Sequence, residues 1–300
     1  MTVAEPADRT PTTDPLRAAL HAMWSSVAGA WADHAPFVDA RGTPVATAML
    51  DLCPPVRGDR VLELACGPAG VGLLAAERLG PDGRVVVSDV VPEMVEVAAA
   101  RAERLGLTTV GARVLDLEHV DEPAGSFDVV LCRDALMLVP DPVLAATEIR
   151  RVLRPGGRTA VAVWGPRQRN PWLGVLFDAV SSRTGAPVPP PGLPGPFSLD
   201  SPGSLADVLR RAGLDDVEVH EVDTPLTCGS LDEWWRVVPS LAGPVAQLVA
   251  ALPDEDAAAI RAHASDGLAP FAEPGGYRIP GVSPVARARR GDAVPSAPAS

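Results

Sequence analysis

Between residues 60 and 163, short apolar runs alternate with amphipathic segments, and this alternation constrains the fold more than any other feature. The runs "RVLELA", "GRVVVSDV" and "SFDVVLCR" are close to continuously apolar. Such runs are typical of parallel strands that crossover helices cover on both faces. The segments between them, such as "PEMVEVAAARAERLG", have helical periodicity. We therefore predict an α/β fold with a doubly wound, mostly parallel sheet.

Further strands and helices extend this core. "ARVLD", "RTAVAVWG" after the turn "RPGG", and the late runs "DVEVHEVD" and "GVSPVARAR" bring the predicted sheet to seven strands. Two helices are predicted before it, over 16–35 and 43–53, with Trp24 and Trp31 on one face. The proline-rich stretch 186–203 cannot be regular helix or central strand. A helical insertion is predicted over 230–266.

Composition excludes several functions. The net charge of −12 argues against a nucleic-acid partner. All 26 basic residues are arginine, and without lysine neither a Schiff-base enzyme nor a Walker A loop is possible. Four cysteines without paired spacing predict reduced thiols, no metal site and a cytoplasmic protein. The polar N-terminus is not a signal peptide, and no apolar run is long enough to cross a membrane.

The stretch "VLELACGPAGVGLLAAERLG" predicts a ligand-binding turn between the first strand and its helix. The turn's small residues allow close approach to the backbone, and the helix N-terminus favours anionic or polar ligands. Nineteen residues after Gly70, Asp89 ends the second strand, where an acid accepts hydrogen bonds from a ribose diol. Because Ala65-x-Gly67-x-x-Gly70 also resembles a loose dinucleotide fingerprint, spacing alone does not identify the ribose.

Six segments in order make a family resemblance specific: "VLELACGPAG", "VVVSDVVPEM", "ARVLDLE", "FDVVLCRDALMLVPDP", "IRRVLRPGG" and "VAVWG". Together they resemble the motif series of class I S-adenosylmethionine-dependent methyltransferases, in the ubiquinone/menaquinone-methyltransferase-like (type 11) group. The resemblance covers residues 20–166 and, more loosely, the rest of the chain. It implies S-adenosyl-L-methionine as cofactor and a single domain over 16–290. That domain comprises a helical lid (16–55), a cofactor-binding core (58–166) and an acceptor-binding cap region (167–290), between disordered ends at 1–15 and 291–300.

The resemblance also implies roles for individual residues. Glu63 matches the acid near the methionine end of the cofactor, and the backbone at Ala65 and Gly67 lines the cofactor site. Asp89 matches the ribose-binding acid. The remaining implied contacts are to adenine and to the methionine moiety: Val90 and Met94 against the adenine ring, Asp116 with Leu117 at its amino edge, and the Cys132 carbonyl at the methionine group. The family's GxGxG is Ala65-x-Gly67-x-Ala69 here, so two extra methyl groups stand at the turn.

Methyl transfer is an in-line displacement, so the protein mainly aligns the acceptor with the methyl group. A general base is needed only for an acceptor that is protonated at the working pH. His34 and His263 are candidate bases, but a role as solvated or satisfied surface histidines is the more common interpretation of such residues. Arg133 can orient an anionic acceptor, or else pair with Asp134 or Asp141. The tryptophans Trp24, Trp31, Trp164 and Trp172 are candidates for an aromatic wall.

We predict O-methylation of a small-molecule acceptor, an aromatic or polyketide-like metabolite, at a hydroxyl or carboxyl group. Methyl ester formation of the aklanonic acid type is an example within the family. C-methylation of a quinol, an NAD(P)-dependent oxidoreductase and a non-methylating pericyclic or decarboxylative enzyme are the alternatives. The amphipathic insertion is compatible with a cap over the acceptor or with a homodimer interface.

Overall fold

The computed structural model describes residues 15–292. Within this range the helices are α1 (Pro15–Asp33), α2 (Ala35–Leu52), α3 (Gly70–Leu79), α4 (Pro92–Arg104), α5 (Pro142–Val152), α6 (Pro171–Thr184), α7 (Pro202–Arg211), α8 (Leu231–Leu241), α9 (Pro244–Ala251) and α10 (Asp254–Leu268). The strands are β1 (Arg60–Leu64), β2 (Arg84–Asp89), β3 (Val110–Val114), β4 (Phe127–Arg133), β5 (Leu153–Ala162), β6 (Asp215–Asp223), β7 (Leu226–Cys228), β8 (Ala272–Glu273), β9 (Gly276–Ile279) and β10 (Val282–Arg289).

The main sheet confirms the predicted fold class. Its seven strands have the order β3-β2-β1-β4-β5-β10-β6. The first five are parallel, and β10 runs antiparallel to both β5 and β6. The strand order reverses between β1 and β4. In open α/β sheets this switch point, at the carboxyl ends of the strands, is where ligands bind.

Apolar side chains cover both faces of the sheet. One buried cluster joins β1, β4 and β5 to α5 and α7, and it includes Ile149 and Leu205. A second joins the other face to α2, α3 and α4, and it includes Met49 and Leu73. A third cluster lies beyond the sheet, where α6 packs against α8 and α10 around Trp234. The predicted helical insertion is therefore present as α8, α9 and α10, and it packs on the chain's own core.

The second helix begins earlier than predicted. It runs from Ala35, directly after α1, rather than from residue 43, and it contains Gly42 and Pro44. Both residues are weak helix formers, so the sequence pattern does not predict the first part of α2. Tertiary contacts hold it instead: Arg101 of α4 donates hydrogen bonds both to Asp39 of α2 and to the Pro68 carbonyl of the turn.

Other elements were not predicted at all. They are α6 and the small sheet β7-β9-β8. "RPGG" is not a turn before β5 but an irregularity within it, where the register shifts between Phe127 and Val129. The stretch 186–201 is irregular, as predicted. The predicted disordered ends lie almost wholly outside the described residues. No helix in the described range is both long and apolar enough to span a membrane.

Candidate active site

A cavity of about 460 Å³ opens at the switch point of the sheet. Its floor is formed by the carboxyl ends of β1, β2 and β4 and the segments that follow them. Its roof comes from α1 and α2, from the proline-rich stretch 188–196, and from α8 and α9. This size and this mixture of apolar walls with a few polar groups are typical of small-molecule sites. All four tryptophans singled out from the sequence line it: Trp24, Trp31, Trp164 and Trp172.

The turn after β1 has an unusual backbone. Ala65, Gly67 and Ala69 all have positive φ, at 50°, 50° and 65°. The left-handed conformation costs a residue with a Cβ about 1 kcal/mol, yet the two alanines adopt the same conformation that glycine favours. Gly67 faces the cavity, since a Cβ there would lie 3.8 Å from the Trp31 ring. The methyl groups at positions 65 and 69 therefore leave the turn's shape intact.

Glu63, on strand β1, interacts with the helix that follows this turn. Its carboxylate is buried and accepts a hydrogen bond from the Gly72 N–H at the start of α3, at 2.8 Å. Burial raises the pKa of Glu63 to about 7, while the nearby Arg133 and the α3 amides oppose the shift. Glu63 is absent from the cavity lining. Its contacts indicate that it holds the helix start against the strand.

Asp89 stands at the end of β2 and lines the cavity. One carboxylate oxygen accepts a hydrogen bond from the Gly67 N–H and the other from the Val91 N–H, each at 3.0 Å. Burial raises the pKa of Asp89, and these amides oppose the shift. Because a carboxylate has about four acceptor positions, both oxygens retain capacity for a ligand.

The other residues at this end of the cavity are mostly apolar. Val90, Met94, Leu117 and Asp116 line it, and Met94 packs with Val91 and the two tryptophans of α1. Trp24 and Trp31 meet edge to face at 6.4 Å, which confirms the shared helix face. Asp116 accepts a hydrogen bond from the Glu118 N–H at 2.8 Å.

Helix α1 is fastened over this end of the cavity at three points. Arg17 pairs with the buried Glu118, and His21 Nε2 lies 3.2 Å from the Val90 carbonyl oxygen. Trp31 donates from its indole N–H to the Leu241 carbonyl of α8, at 3.3 Å. The N-terminal helices and the cap therefore meet across the site.

Three candidates from the sequence do not line the cavity. His34 lies at the junction of α1 and α2, where its side chain makes no capping hydrogen bond. His263 is exposed on α10. Cys132 is fully buried within the sheet, where burial raises the pKa of its thiol to about 12. The geometry therefore gives neither histidine a place as a base. His34 stays a prediction from the sequence, placed between α1 and α2 and outside the cavity lining.

Arg133, in contrast, does line the cavity. Its guanidinium lies against α2, since a Cβ on Gly42 would be 1.9 Å from Arg133 Nη1. Neither of the two proposed pairings with acids is its main contact. Asp141 instead caps α5 by accepting from the Val143 and Leu144 amides, and Asp134 acts on Arg133 only at longer range.

The cavity lining also holds a group of polar side chains that sequence reasoning missed or left unassigned. Arg41 of α2 lies over the Trp172 ring, 3.8 Å from its centroid, and 5.6 Å from that of Trp164. Burial lowers the pKa of Arg41 to about 10, with the Asp134 carboxylate opposing the shift, so it remains charged at neutral pH. Trp164 and Trp172 meet edge to face at 5.1 Å.

Four buried polar atoms in this group have no hydrogen-bond partner among the residues that the structure describes: Arg41 Nε, Arg41 Nη2, Asp134 Oδ1 and Trp164 Nε1. Asp134 also has a positive φ of 57°. Burial raises the pKa of Asp134, while the charges of Arg133 and Arg41 oppose the shift, as does the Trp164 N–H, which lies close to the Asp134 carboxylate without reaching hydrogen-bond geometry. Orphaned polar atoms and strained backbone concentrate at functional sites. No sequence signal pointed to Arg41, which comes from a different part of the chain.

Within residues 15–292, no group of three or more His, Cys, Asp or Glu side chains is arranged to hold a metal ion. The four cysteines are free and buried. The two arginines of the segment 166–172 form ion pairs: Arg167 pairs with Asp178, and Arg169 pairs with Glu221.

Comparison with known proteins identifies the family. A methyltransferase-domain model matches residues 55–170. Over 189 residues the chain is 39% identical to the nocamycin O-methyltransferase of Saccharothrix syringae, a match that covers 59% of this chain and 67% of that protein. The chain belongs to the S-adenosylmethionine-dependent methyltransferases. The cofactor predicted from the motifs, S-adenosyl-L-methionine, is thereby confirmed, and the nicotinamide-dependent alternative is set aside.

Two further known proteins are similar to this methyltransferase, one in sequence and one in fold. It is 36% identical over 118 residues to an aklanonic acid methyltransferase of a Streptomyces strain, covering 39% of this chain and 54% of the relative. The [4+2]-cyclase SpnF shares its fold with a TM-score of 0.53 at 21% identity, covering 83% of this chain and 80% of the cyclase. The fold by itself therefore does not specify the reaction.

Proposed function

We propose that this methyltransferase transfers a methyl group to an oxygen of a small, flat, polyketide-like acceptor. The observation that carries the proposal is the lining of the cavity, which combines the acid at the end of β2 with the paired rings of Trp164 and Trp172. Its similarity to methyltransferases of nocamycin and aklanonic acid supports the same acceptor class.

The residues at the first end of the cavity fit the cofactor. We propose that Asp89 binds the ribose hydroxyls and that Val90, Met94 and Leu117 contact the adenine ring, with Asp116 at its amino edge. The Ala65–Gly67 backbone lies at the remaining wall of this end, where small residues leave room for a ligand. When bound, S-adenosylmethionine supplies an electrophilic methyl group on a sulfonium.

The protein's own part in the reaction is alignment and exclusion of water. The roof of α1, α2 and the cap closes over the cavity, and aromatic walls restrict how a flat acceptor can lie. Holding the attacking oxygen in line with the methyl group supplies most of the acceleration in such a displacement. Arg133 and Arg41 provide positive charge for an ionised acceptor oxygen.

The test is incubation of the protein with S-adenosylmethionine and a panel of flat aromatic acids, phenols and quinols, followed by mass spectrometry. We expect a methylated product together with an equal amount of S-adenosylhomocysteine. Mild alkaline hydrolysis then distinguishes a methyl ester, which is cleaved, from an ether or a C-methyl product. A C-methylated quinol would support the alternative acceptor. Conversion of an acceptor without S-adenosylhomocysteine would overturn the methyl-transfer proposal.

A further inference from the structure

The acceptor end of the cavity contains a cation whose hydrogen-bonding capacity is unused. Arg41 lines the cavity. Its Nε and Nη2 atoms have no hydrogen-bond partner among residues 15–292. A buried donor without a partner costs about 1–3 kcal/mol, so a native structure rarely retains two on one side chain. A ligand that supplies the missing acceptors explains the arrangement.

The two unused nitrogens define the shape of that ligand. Nε and Nη2 lie on the same edge of the guanidinium, which is the edge that binds both oxygens of a planar anion. The flat face of the group is already occupied by the Trp172 ring at 3.8 Å. The missing partner is therefore a coplanar pair of negatively charged oxygens, as in a carboxylate.

The charged side chains around Arg41 favour the binding of an anion. Arg133 adds a second guanidinium to the cavity lining, and Asp134 is the acid beside Arg41. The lining around Arg41 thus holds two cations and one carboxylate, and the buried Glu63 behind the lining also interacts with Arg133. Electrostatic complementarity of this kind selects charged ligands over neutral ones.

Access to the free edge requires a change in the conformation of the Arg41 side chain. Nε and Nη2 are shielded from solvent, although the Arg41 side chain itself lines the cavity. Two or more side-chain torsions must change together to turn this edge towards the cavity, because the guanidinium cannot rotate within its own plane about a single bond. Such a side-chain adjustment is common when a ligand binds to an otherwise preformed site.

We propose that Arg41 is the specificity-determining residue for the acceptor, and that it selects flat molecules carrying a carboxylate by binding both carboxylate oxygens through Nε and Nη2. This inference rests on the proposed function, because it names the acceptor group that the same cavity binds. An acceptor of this kind arrives ionised, which explains why the site needs no histidine base.

The experiment compares two probes that differ only in charge: 2-naphthoate and 2-naphthamide. Each is titrated calorimetrically into the full chain saturated with S-adenosylhomocysteine. We expect the wild-type protein to bind naphthoate at least tenfold more tightly than naphthamide. Arg41→Met is expected to abolish this preference, with naphthamide affinity unchanged, whereas Arg41→Lys retains charge but loses the two-point contact and gives an intermediate ratio.

Two further variants make the result specific. Arg210→Met, on the exposed face of α7, is the matched control and should keep the wild-type ratio. Asp134→Asn removes the one carboxylate beside Arg41 and should strengthen naphthoate binding. A naphthoate preference that survives in Arg41→Met, or no naphthoate binding by the wild-type protein at millimolar concentration, would overturn the assignment.

The two proposals fail in distinguishable ways. Methylation of phenols or quinols without any naphthoate preference would overturn the role of Arg41 and leave methyl transfer intact. A naphthoate preference that depends on Arg41, without methyl transfer to any acid, would overturn the proposed function and leave the anion site intact. Prior titration with S-adenosylhomocysteine establishes for each variant that the cofactor end is folded.

Discussion

The two ends of the cavity satisfy their polar groups in opposite ways. At the cofactor end, the buried acids Glu63 and Asp89 accept hydrogen bonds from backbone amides of the turn and of the α3 and α4 starts. At the acceptor end, Arg41, Asp134 and Trp164 keep polar atoms without partners. These two acids are therefore paired within the protein, whereas the proposed acceptor would supply the partners that Arg41 lacks. Under this proposal, the acids at the first end contribute mainly to stability, and Arg41 contributes mainly to specificity.

The largest expected effect concerns the buried acid beneath the turn. The folded-state pKa of Glu63, about 7, lies above its ordinary value of 4.5, so the folded chain binds this proton more tightly than the unfolded chain. The contribution to stability is complete below about pH 4.5 and is lost as the pH rises through about 7. The loss is about 3 kcal/mol, because a tenfold difference in proton affinity between the two states corresponds to about 1.4 kcal/mol.

Urea unfolding between pH 4.5 and pH 8 measures this loss. Glu63→Gln, which retains an oxygen for the Gly72 N–H, should flatten the pH dependence. Glu77→Gln is the control, because Glu77 is an exposed acid of helix α3. This variant should leave the slope unchanged. Equal slopes in the wild-type protein and Glu63→Gln would show that burial of this acid carries no desolvation penalty, which would weaken the contrast between the two ends.

Removing the acid of the cofactor end should affect both binding and stability. Asp89→Ala is expected to weaken S-adenosylhomocysteine binding at least tenfold, about 1.4 kcal/mol, through loss of a charge-assisted diol contact. It also leaves the Gly67 and Val91 amides without an acceptor, which should lower the free energy of unfolding by about 2 kcal/mol. Calorimetric titration and urea unfolding measure the two effects. Unchanged affinity would refute the ribose assignment.

The corresponding change at the acceptor end should have little net effect on the ligand-free protein. Arg41→Met removes a buried charge with unused donors, but it also removes one of the two cations that act on Asp134, so the free energy of unfolding should change by less than about 1 kcal/mol. Arg101→Met is the contrasting variant, because the Arg101 guanidinium already donates hydrogen bonds to Asp39 and to the Pro68 carbonyl. It should lower the free energy of unfolding by about 2 kcal/mol. Urea unfolding of both variants is the measurement, and destabilisation of similar size in both would erase the distinction between the two ends.

The smallest effect compares two indole groups. Trp31→Phe removes an N–H that donates to the Leu241 carbonyl, and it should cost about 1 kcal/mol. Trp164→Phe removes an N–H that lies near Asp134 without reaching hydrogen-bond geometry, so its cost should stay within about 0.5 kcal/mol after allowance for ring size. Thermal unfolding of both variants provides the measurement. A larger loss for Trp164 than for Trp31 would show that its N–H does bond in solution.

Residues close together in the chain were the predictable part of the site. The turn and Asp89 follow from a strand–turn–helix repeat confined to one stretch of the chain, and the family resemblance adds Val90 and Met94; all of them line the cavity. Local pattern gives no guide where a residue's position depends on how whole helices pack. His34 and Arg41 stand close together near the start of α2, yet only Arg41 lines the cavity.

The parallel sheet, its crossover helices and the ligand-binding turn could be predicted from the amino-acid sequence, because local periodicity and short spacing within one or two elements encode them. The ordered motifs added the family. The group around Arg41 became visible only in the folded chain. Arg41, Asp134, Trp164 and Trp172 come from four separate segments, and their meeting depends on long-range packing of α2, β4, β5 and α6. No local pattern records that meeting, because the residues interact only once the chain has folded.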